Sequence, residues 1–308
     1  MDKVNLSVTL GPVKLKNPVM TASGTFGYGL ELEKFCPPES LGAVITKGVS
    51  LSPWTGNPSP RLVETAAGML NAIGLENMGV ELFIEKALPA LKAAGATVAA
   101  NILGHRPDEY GTLAAKLART QVDFIEVNVS CPNVACGGLA FGANPASVHE
   151  VALAVKENCG SKPFMIKLTP QSSDVVEAAL AAEKGGATAV SLINTIPALA
   201  VDLERRRPRL ANIVGGLSGP AIKPVALRQV WQCAQALKIP VVGIGGICTA
   251  RDALEFILVG ASAVEVGTAT LIDPTAPIKI IEGIKEWMLK EGMNDLSQLR
   301  GALQTRPE

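Results

Sequence analysis

The sequence has no excess of charge of either sign. Lys plus Arg and Asp plus Glu number 28 each among 308 residues, so no global field draws the chain to nucleic acid or to an acidic membrane. It has no apolar stretch of bilayer length, and its opening, MDKVNLSVTL, lacks the apolar run of a signal peptide. Histidine is scarce: His105 and His149 lie on separate segments without ligand spacing, so no metal site is expected. Cysteine has no disulfide-like framework, since Cys36, Cys131, Cys136, Cys159, Cys233 and Cys248 are scattered along the chain. That pattern fits free thiols in a reducing cytoplasm. Like-charge runs are lacking apart from Arg205 to Arg207 beside Pro208, which reads as a solvated loop. With charged residues at only 18% and hydrophobic ones at 48%, disorder is excluded and a large buried core is expected.

What is present is a repeating pattern. Val4 to Leu10, a Gly11-Pro12 turn and Val13 to Lys16 predict a β-hairpin that plugs one end of the fold. Short apolar runs then recur at Pro18–Ala22, Ala43–Lys47, Thr97–Ile102, Phe124–Val129, Phe164–Leu168, Ala189–Ile193, Pro240–Ile244 and Ala263–Val266. Helix-like segments alternate with them: Val80–Ala94, Pro107–Arg119, Pro145–Asn158, Ser173–Lys184, Pro220–Leu237 and Ala250–Leu258, with Ala276–Glu291 closing the series. Eight nearly continuous apolar strands alternating with helices describe a parallel sheet buried on both faces. In this length they favour an α/β fold of the closed (β/α)8 TIM barrel type over an open doubly wound sheet. A dinucleotide fold would show Gly-x-Gly-x-x-Gly, and the nearest match, Gly243-Ile-Gly245-Gly246-Ile-Cys248, has Cys in the third glycine position. Val49–Gly79 and Thr195–Gly219 read as insertions in βα loops, so residues 1–308 are expected to form a single domain with those insertions over the active end.

A barrel of this kind collects its chemistry at the C-terminal ends of its strands. Those ends carry Ala22-Ser23-Gly24, Lys47-Gly48, Asn101, Asn128, Lys167, Ile193-Asn194-Thr195, Gly245-Gly246 and Gly267-Thr268. A polar residue after three or more apolar ones is usually a satisfied core group, but six of the eight strands repeat the pattern. The glycines after the last two strands, with Gly219 before the Pro220 helix, can turn backbone N–H groups towards a phosphate. The small residues at the first strand end let a flat ring approach the backbone. Lys47 or Lys167 at the ring's edge would stabilise negative charge on it. A phosphorylated planar cofactor follows, and FMN suits this better than NAD, which needs room for a second nucleotide. Asn71-Ala72-Ile73-Gly74-Leu75 can turn an amide and several N–H groups towards a carboxylate or imide edge; its plainer reading is a turn closing the insertion.

The stretch Phe124 to Gly142, FIEVNVSCPNVACGGLAFG, begins as a strand and breaks into a loop in which Asn128 and Asn133 flank Cys131. A free Cys is most often a small buried hydrophobe. Here its neighbours are Ser130, Pro132 and Asn133, and a thiol of pKa about 8.5 can act as a base where its thiolate is stabilised. Cys136 lacks the partners of a metal site, and Cys36, Cys159, Cys233 and Cys248 read as loop or packing residues. The tail Gly137 to Gly142 reads as a lid.

Asn128-Val-Ser-Cys131-Pro-Asn133, Thr46-Lys47-Gly48, Asn71-Ala-Ile-Gly-Leu75 and Gly215-Gly-Leu-Ser-Gly219-Pro resemble the dihydroorotate dehydrogenases, in order and with the expected spacing from the first strand to Thr268. Thr21-Ala-Ser-Gly-Thr-Phe-Gly and the run from Cys131 to Gly142 are similar to the NAD-linked class 1B catalytic subunits. The resemblance implies that Cys131 is the base taking a proton from C5 of dihydroorotate while a hydride passes from C6 to flavin N5. It implies substrate contacts from Lys47, Asn71, Ile73, Gly74, Leu75, Asn128, Asn133, Asn194 and Thr195. Flavin contacts would come from Ala22, Ser23, Gly24, Lys47, Gly48, Asn101, Asn128, Lys167, Ile193, Gly219, Gly245, Gly246, Gly267 and Thr268. It also implies a partner electron-transfer subunit with FAD and a [2Fe-2S] centre, in a heterotetramer around a homodimer core, because this chain has neither a Rossmann fingerprint nor a four-Cys cluster. The alternatives are a fumarate-linked class 1A enzyme, a reductase of free pyrimidine bases sharing the Cys loop, and a flavin- or phosphate-binding scaffold without catalysis.

Overall fold

The computed structural model describes residues 4–129 and 138–305. After the antiparallel hairpin of β1 (Val8–Leu10) and β2 (Val13–Leu15), the strands β3 (Val19–Thr21) and β4 (Val44–Ile45) lead into an inserted hairpin, β5 (Leu62–Thr65) and β6 (Gly68–Asn71). The main series resumes with β7 (Val98–Ile102), β8 (Phe124–Asn128), β9 (Phe164–Lys167) and β10 (Ala189–Leu192). A second insertion supplies β11 (Ile196–Leu199), β12 (Val201–Asp202), β13 (Arg207–Pro208) and β14 (Val214–Ser218), and β15 (Val241–Ile244) and β16 (Ala263–Val266) complete the set.

Eight strands pair in parallel in the order β3-β16-β15-β10-β9-β8-β7-β4. A parallel bridge between Met20 and Ala43 joins β3 to β4, and the Gly42 N–H donates to Val19 O at 2.8 Å. The ring is thereby closed, a (β/α)8 barrel whose strands fall within the eight apolar runs of the sequence.

The helices wrap the outside. They are α1 (Val80–Leu82) and α2 (Leu88–Ala93), joined through a π-helical turn at Phe83–Ala87, then α3 (Pro107–Ala118), α4 (Gly138–Ala143), α5 (Pro145–Asn158) and α6 (Val175–Lys184). The second half adds α7 (Lys223–Ala236), α8 (Ala250–Leu258), α9 (Thr268–Ile272) and α10 (Ala276–Lys290). Local chemistry sets their starts. Asp174 accepts from the N–H groups of Val176 and Glu177, and Thr249 and Asp252 form a reciprocal capping box on α8. Prolines open α3 and α5, where the missing N–H has no intrahelical partner to lose. Among the described residues, no helix is long and apolar enough to cross a membrane.

Strand alternation divides the barrel interior into layers. The floor is apolar: Met20, Ile45, Ala99, Phe124, Met165, Ala189, Val242 and Ala263 cluster with Leu10 and Leu15 of the hairpin, all buried. The hairpin is therefore a plug. Burying its two leucines stabilises the closed end by about 1.5–3 kcal/mol each. Two residues further along the same strands the interior turns polar, with Asn101, Glu126, Lys167, Ser191 and Glu265 all buried. Two further still, Asn128 and Gly267 reach the open end.

The insertions are more ordered than loops. Segments 49–79 and 195–219 contribute an antiparallel sheet in the order β11-β14-β6-β5. On the face opposite its cavity-lining residues Leu62, Met69 and Asn71, it has a small core of its own, Val63, Leu70, Ala72 and Leu210. Pairing two distant insertions satisfies their backbone N–H and C=O groups, which two long bare loops over an active end would leave to water. Of the triple arginine, Arg205 and Arg206 sit in the exposed turn between β12 and β13 and Arg207 opens β13, with Arg205 ion-paired to Asp202 at 3.6 Å.

Candidate active site

The C-terminal ends of the barrel strands and the inner face of the inserted sheet enclose a cavity of about 270 Å³. Lys47, Asn101, Asn128 and Lys167 enter it from β4, β7, β8 and β9 or from the residues just beyond them, and Ile193, Asn194 and Thr195 follow β10. Asn71 comes from the opposite wall, at the end of β6, where its Nδ2 donates to Gly216 O at 3.3 Å. Ile73 and Leu75 lie beside it. Gly74 does not line the cavity: its backbone, at φ +75, backs onto Asn57, where an added Cβ would stand 2.5 Å from the Asn57 nitrogen. It shapes the turn that presents its neighbours. Cys131, Asn133 and Cys136 lie outside the described residues.

One end of the cavity is made of glycine backbone. Gly219, Gly245 and Gly246 have φ of +93, +124 and +72, a region that costs other residues strain. An added Cβ on Gly246 would stand 2.8 Å from Gly219 O, so these two loops touch through backbone. Gly219 precedes the 3-10 turn Pro220–Ile222 and Gly267 precedes α9, and neither start has a side-chain cap. Two such starts converge with Thr268 on one end of the cavity, an arrangement suited to an anion. Ala22, Ser23 and Gly24 form the neighbouring wall, and Gly24 at φ +81 has open space where a side chain would be.

The base of the cavity is a polar network. Lys167 Nζ lies 3.3 Å from Ser23 Oγ, 3.2 Å from Glu265 Oε2 and 3.6 Å from Glu126 Oε2. Glu126 in turn accepts from Asn101 Nδ2 at 2.5 Å and from Ser191 Oγ at 2.8 Å. Burial pushes the Lys167 pKa down, but the two carboxyl groups outweigh it and the net shift is upward. Burial, and then the neighbouring Glu126, hold the Glu265 carboxyl well above the ordinary range despite the lysine. Asn101 Oδ1 is buried with no hydrogen-bond partner among the described residues. Gly48 keeps that acceptor open, since an added Cβ would come within 2.8 Å of it.

An acceptor on one edge, a lysine beside it and a glycine anion cradle at the far end fit a flat ring carrying a phosphorylated tail. On those features the residues fit FMN. Glu126, Ser191 and Glu265 were not anticipated among the site residues, although a charged side chain inside runs such as Phe-Ile-Glu-Val and Ala-Val-Glu-Val was the available signal. Neither were Ser218, Met69 and Leu62 of the inserted sheet, nor Glu76, which is paired to Arg61 Nη2 at 2.5 Å.

The remaining described thiols and imidazoles, Cys248 excepted, sit apart from this cavity. Cys36 and Cys233 are buried, and burial pushes each thiol up to about 12. Cys159 is buried too, and half-buried Cys248 lies at the cavity wall with its thiol also raised by burial. His105 stacks on Trp54 with ring centroids 4.7 Å apart, and His149 Nδ1 faces Ala181 O at 3.2 Å. Among the described residues, no group of three His, Cys, Asp or Glu side chains could hold a metal ion. The expected lid over 137–142 is helical from Gly138 in α4, where Gly142 N–H donates to Val129 O at 2.8 Å and Phe141 packs edge-on to Tyr110.

Known proteins match along nearly the whole chain. The family model for dihydroorotate dehydrogenase matches residues 5–288. A protein of Trichlorobacter lovleyi is 54% identical over 98% of this chain and 99% of its own length. One from Geotalea uraniireducens is 54% identical over 99% and 100%, and one from Alkaliphilus metalliredigens 51% identical over 98% and 100%. Each of these relatives is described as the catalytic subunit of dihydroorotate dehydrogenase B, NAD(+).

Proposed function

Because the chain belongs to the dihydroorotate dehydrogenase family, we propose that it oxidises dihydroorotate to orotate in pyrimidine synthesis and passes the electrons to NAD through a partner subunit. The observation that carries this reading is the convergence, on one cavity, of the glycine anion cradle, Lys167 with the open Asn101 acceptor, and the amides of Asn71, Asn128 and Asn194.

In this reading residues 1–308 act as one FMN-binding domain. Gly219, Gly245, Gly246, Gly267 and Thr268 hold the cofactor's phosphate, and Ala22, Ser23, Gly24, Gly48, Asn101 and Ile193 seat its ring. Lys167 sets positive charge at the ring's edge, and Lys47 is shared between ring and substrate. FMN, when bound, supplies at N5 the acceptor for the hydride leaving C6 of the substrate. Asn71, Asn128, Asn133, Asn194 and Thr195, with the backbone around Ile73 to Leu75, hold a planar anionic substrate against that ring. Cys131 takes the proton from C5. It must act from the face opposite the ring, so that proton and hydride depart on separate sides. The inserted sheet walls the substrate off from bulk water, which strengthens each of these charged contacts.

The partner in this reading is an electron-transfer subunit carrying FAD and a [2Fe-2S] centre, bound in a heterotetramer around a homodimer of this chain. The test is the absorption spectrum and turnover of the purified chain, alone and co-purified with that subunit. Flavin bands alone, gaining iron–sulfur bands and dihydroorotate-dependent NAD reduction with the partner, are expected. A colourless chain would overturn the cofactor assignment. NAD reduction by the chain alone would overturn the partner, fumarate turnover would favour the class 1A reading, and uracil or thymine reduction without orotate activity would favour a base reductase.

A further inference from the structure

Glu126 and Glu265 have no place in the chemistry above, yet both are completely buried in the barrel and face the same ammonium group. The charges there do not balance if both are ionised. One lysine against two carboxylates leaves a net negative charge among buried side chains, directly beneath a ring that must itself accept electrons. A buried group in that position neutralises itself by taking a proton. The hydrogen bonds say which one does. Glu126 has a donor on each oxygen, Asn101 on Oε2 and Ser191 on Oε1, both of which favour its charged form. Glu265 has Lys167 on Oε2, while its buried Oε1 has no partner among the described residues.

We propose that Glu126 and Glu265 together hold one proton, carried on Glu265, so that Lys167 and the pair sum to zero charge beneath the cavity. Glu265 is then a positioning residue: through Lys167 it fixes how much positive charge the cavity presents to a ring that becomes reduced. The raised affinity of the Glu265 carboxyl for its proton agrees with this assignment. The second half of the proposal rests on the FMN reading; the first half does not.

Two measurements test the halves separately. The infrared spectrum of the chain without cofactor at neutral pH is expected to show a carboxylic-acid C=O stretch that shifts in deuterium oxide and is missing from Glu265→Gln. The amide is isosteric with the protonated acid, so this variant is expected to melt with the parent protein. Absence of the band from the parent would overturn the proposal even if FMN binds as expected. In the FMN-loaded protein, Glu265→Gln is expected to leave the flavin reduction potential where it was, because a neutral group replaces a neutral group. The double variant Glu126→Gln/Glu265→Gln removes the one remaining negative charge and is expected to move the potential in the positive direction. A positive shift in Glu265→Gln alone would mean that both carboxylates are ionised in the parent. An unmoved potential in the double variant would mean that the cluster does not act on the ring. A chain that binds no FMN would sink the cofactor reading and leave the infrared result standing.

Discussion

Thr268 Oγ1 donates a hydrogen bond to Ser218 Oγ at 2.7 Å. Thr268 opens α9 after the eighth barrel strand, and Ser218 ends β14 of the inserted sheet. This contact therefore ties the wall of the cavity to its glycine end. A hydrogen bond between partly buried neutral hydroxyls is worth about 1 kcal/mol. Thr268→Val is expected to weaken FMN binding about fivefold, the equivalent of that energy, with the apoprotein still folded. Flavin fluorescence titration of Thr268→Val, Ser218→Ala and the double variant checks it. If the two single losses simply add in the double variant, the contact is not what couples sheet and barrel.

The second prediction concerns Gly246. At φ +72 an alanine there carries backbone strain of about 1–2 kcal/mol, and its Cβ would meet Gly219 O at 2.8 Å. A backbone carbonyl in a tight loop has little room to yield. Gly246→Ala is expected to lower FMN affinity by about tenfold or more. Gly24→Ala has the same kind of backbone strain, at φ +81, but open space around the new Cβ, and is expected to be milder. Equal losses of FMN from the two variants would refute the close contact as the cause.

The barrel was legible because its signal is redundant. Eight apolar runs of strand length each carry the same periodic information, and an error in one would not have changed the topology. The inserted sheet was not legible in the same way. Pairing in that sheet joins segments as far apart as Asn71 and Gly216, a relation no local pattern encodes. The strand-end residues were found because a polar side chain ending an apolar run is conspicuous. Glu126 and Glu265 were passed over because they lie inside the runs, where alternation turns them inward to meet partners on other strands.

Asp252 links the α7–α8 layer to the glycine end. It accepts from Lys223 Nζ at 2.6 Å and from the N–H groups of Cys248 and Thr249 at 3.0 and 2.8 Å. Burial raises its pKa, but these hydrogen bonds outweigh burial and hold the carboxyl below its ordinary value. A carboxylate with a depressed folded-state pKa adds stability above its unfolded pKa, about 3.9, and loses it as the pH falls through the lower folded value. Asp252→Asn is therefore expected to cost about 1 kcal/mol at neutral pH through the weakened cap, and less on the acid side. Chemical denaturation of parent and variant at several pH values measures this. A gap between them that widens towards acid would have the wrong sign and would end the argument.

Cys131 and Cys136 are five positions apart in a glycine-rich stretch of the sequence, and the proposed chemistry assigns them opposite fates. If Cys131 is the base, Cys131→Ala is expected to retain the yellow flavin and its affinity while losing most dihydroorotate oxidation at neutral pH. The loss should ease in alkaline buffer, where hydroxide takes over proton removal without help from a side chain; general base catalysis contributes roughly 10²–10⁴-fold, so the neutral-pH defect should fall in that range. Cys136→Ser is expected to leave turnover and metal content unchanged, because no ligand set surrounds it in the sequence. Stopped-flow bleaching of the flavin by dihydroorotate reads the chemical step directly, without dependence on the partner subunit. Undiminished bleaching in Cys131→Ala would remove the thiol from the mechanism, and iron or zinc lost on changing Cys136 would show that the pair is a metal site after all.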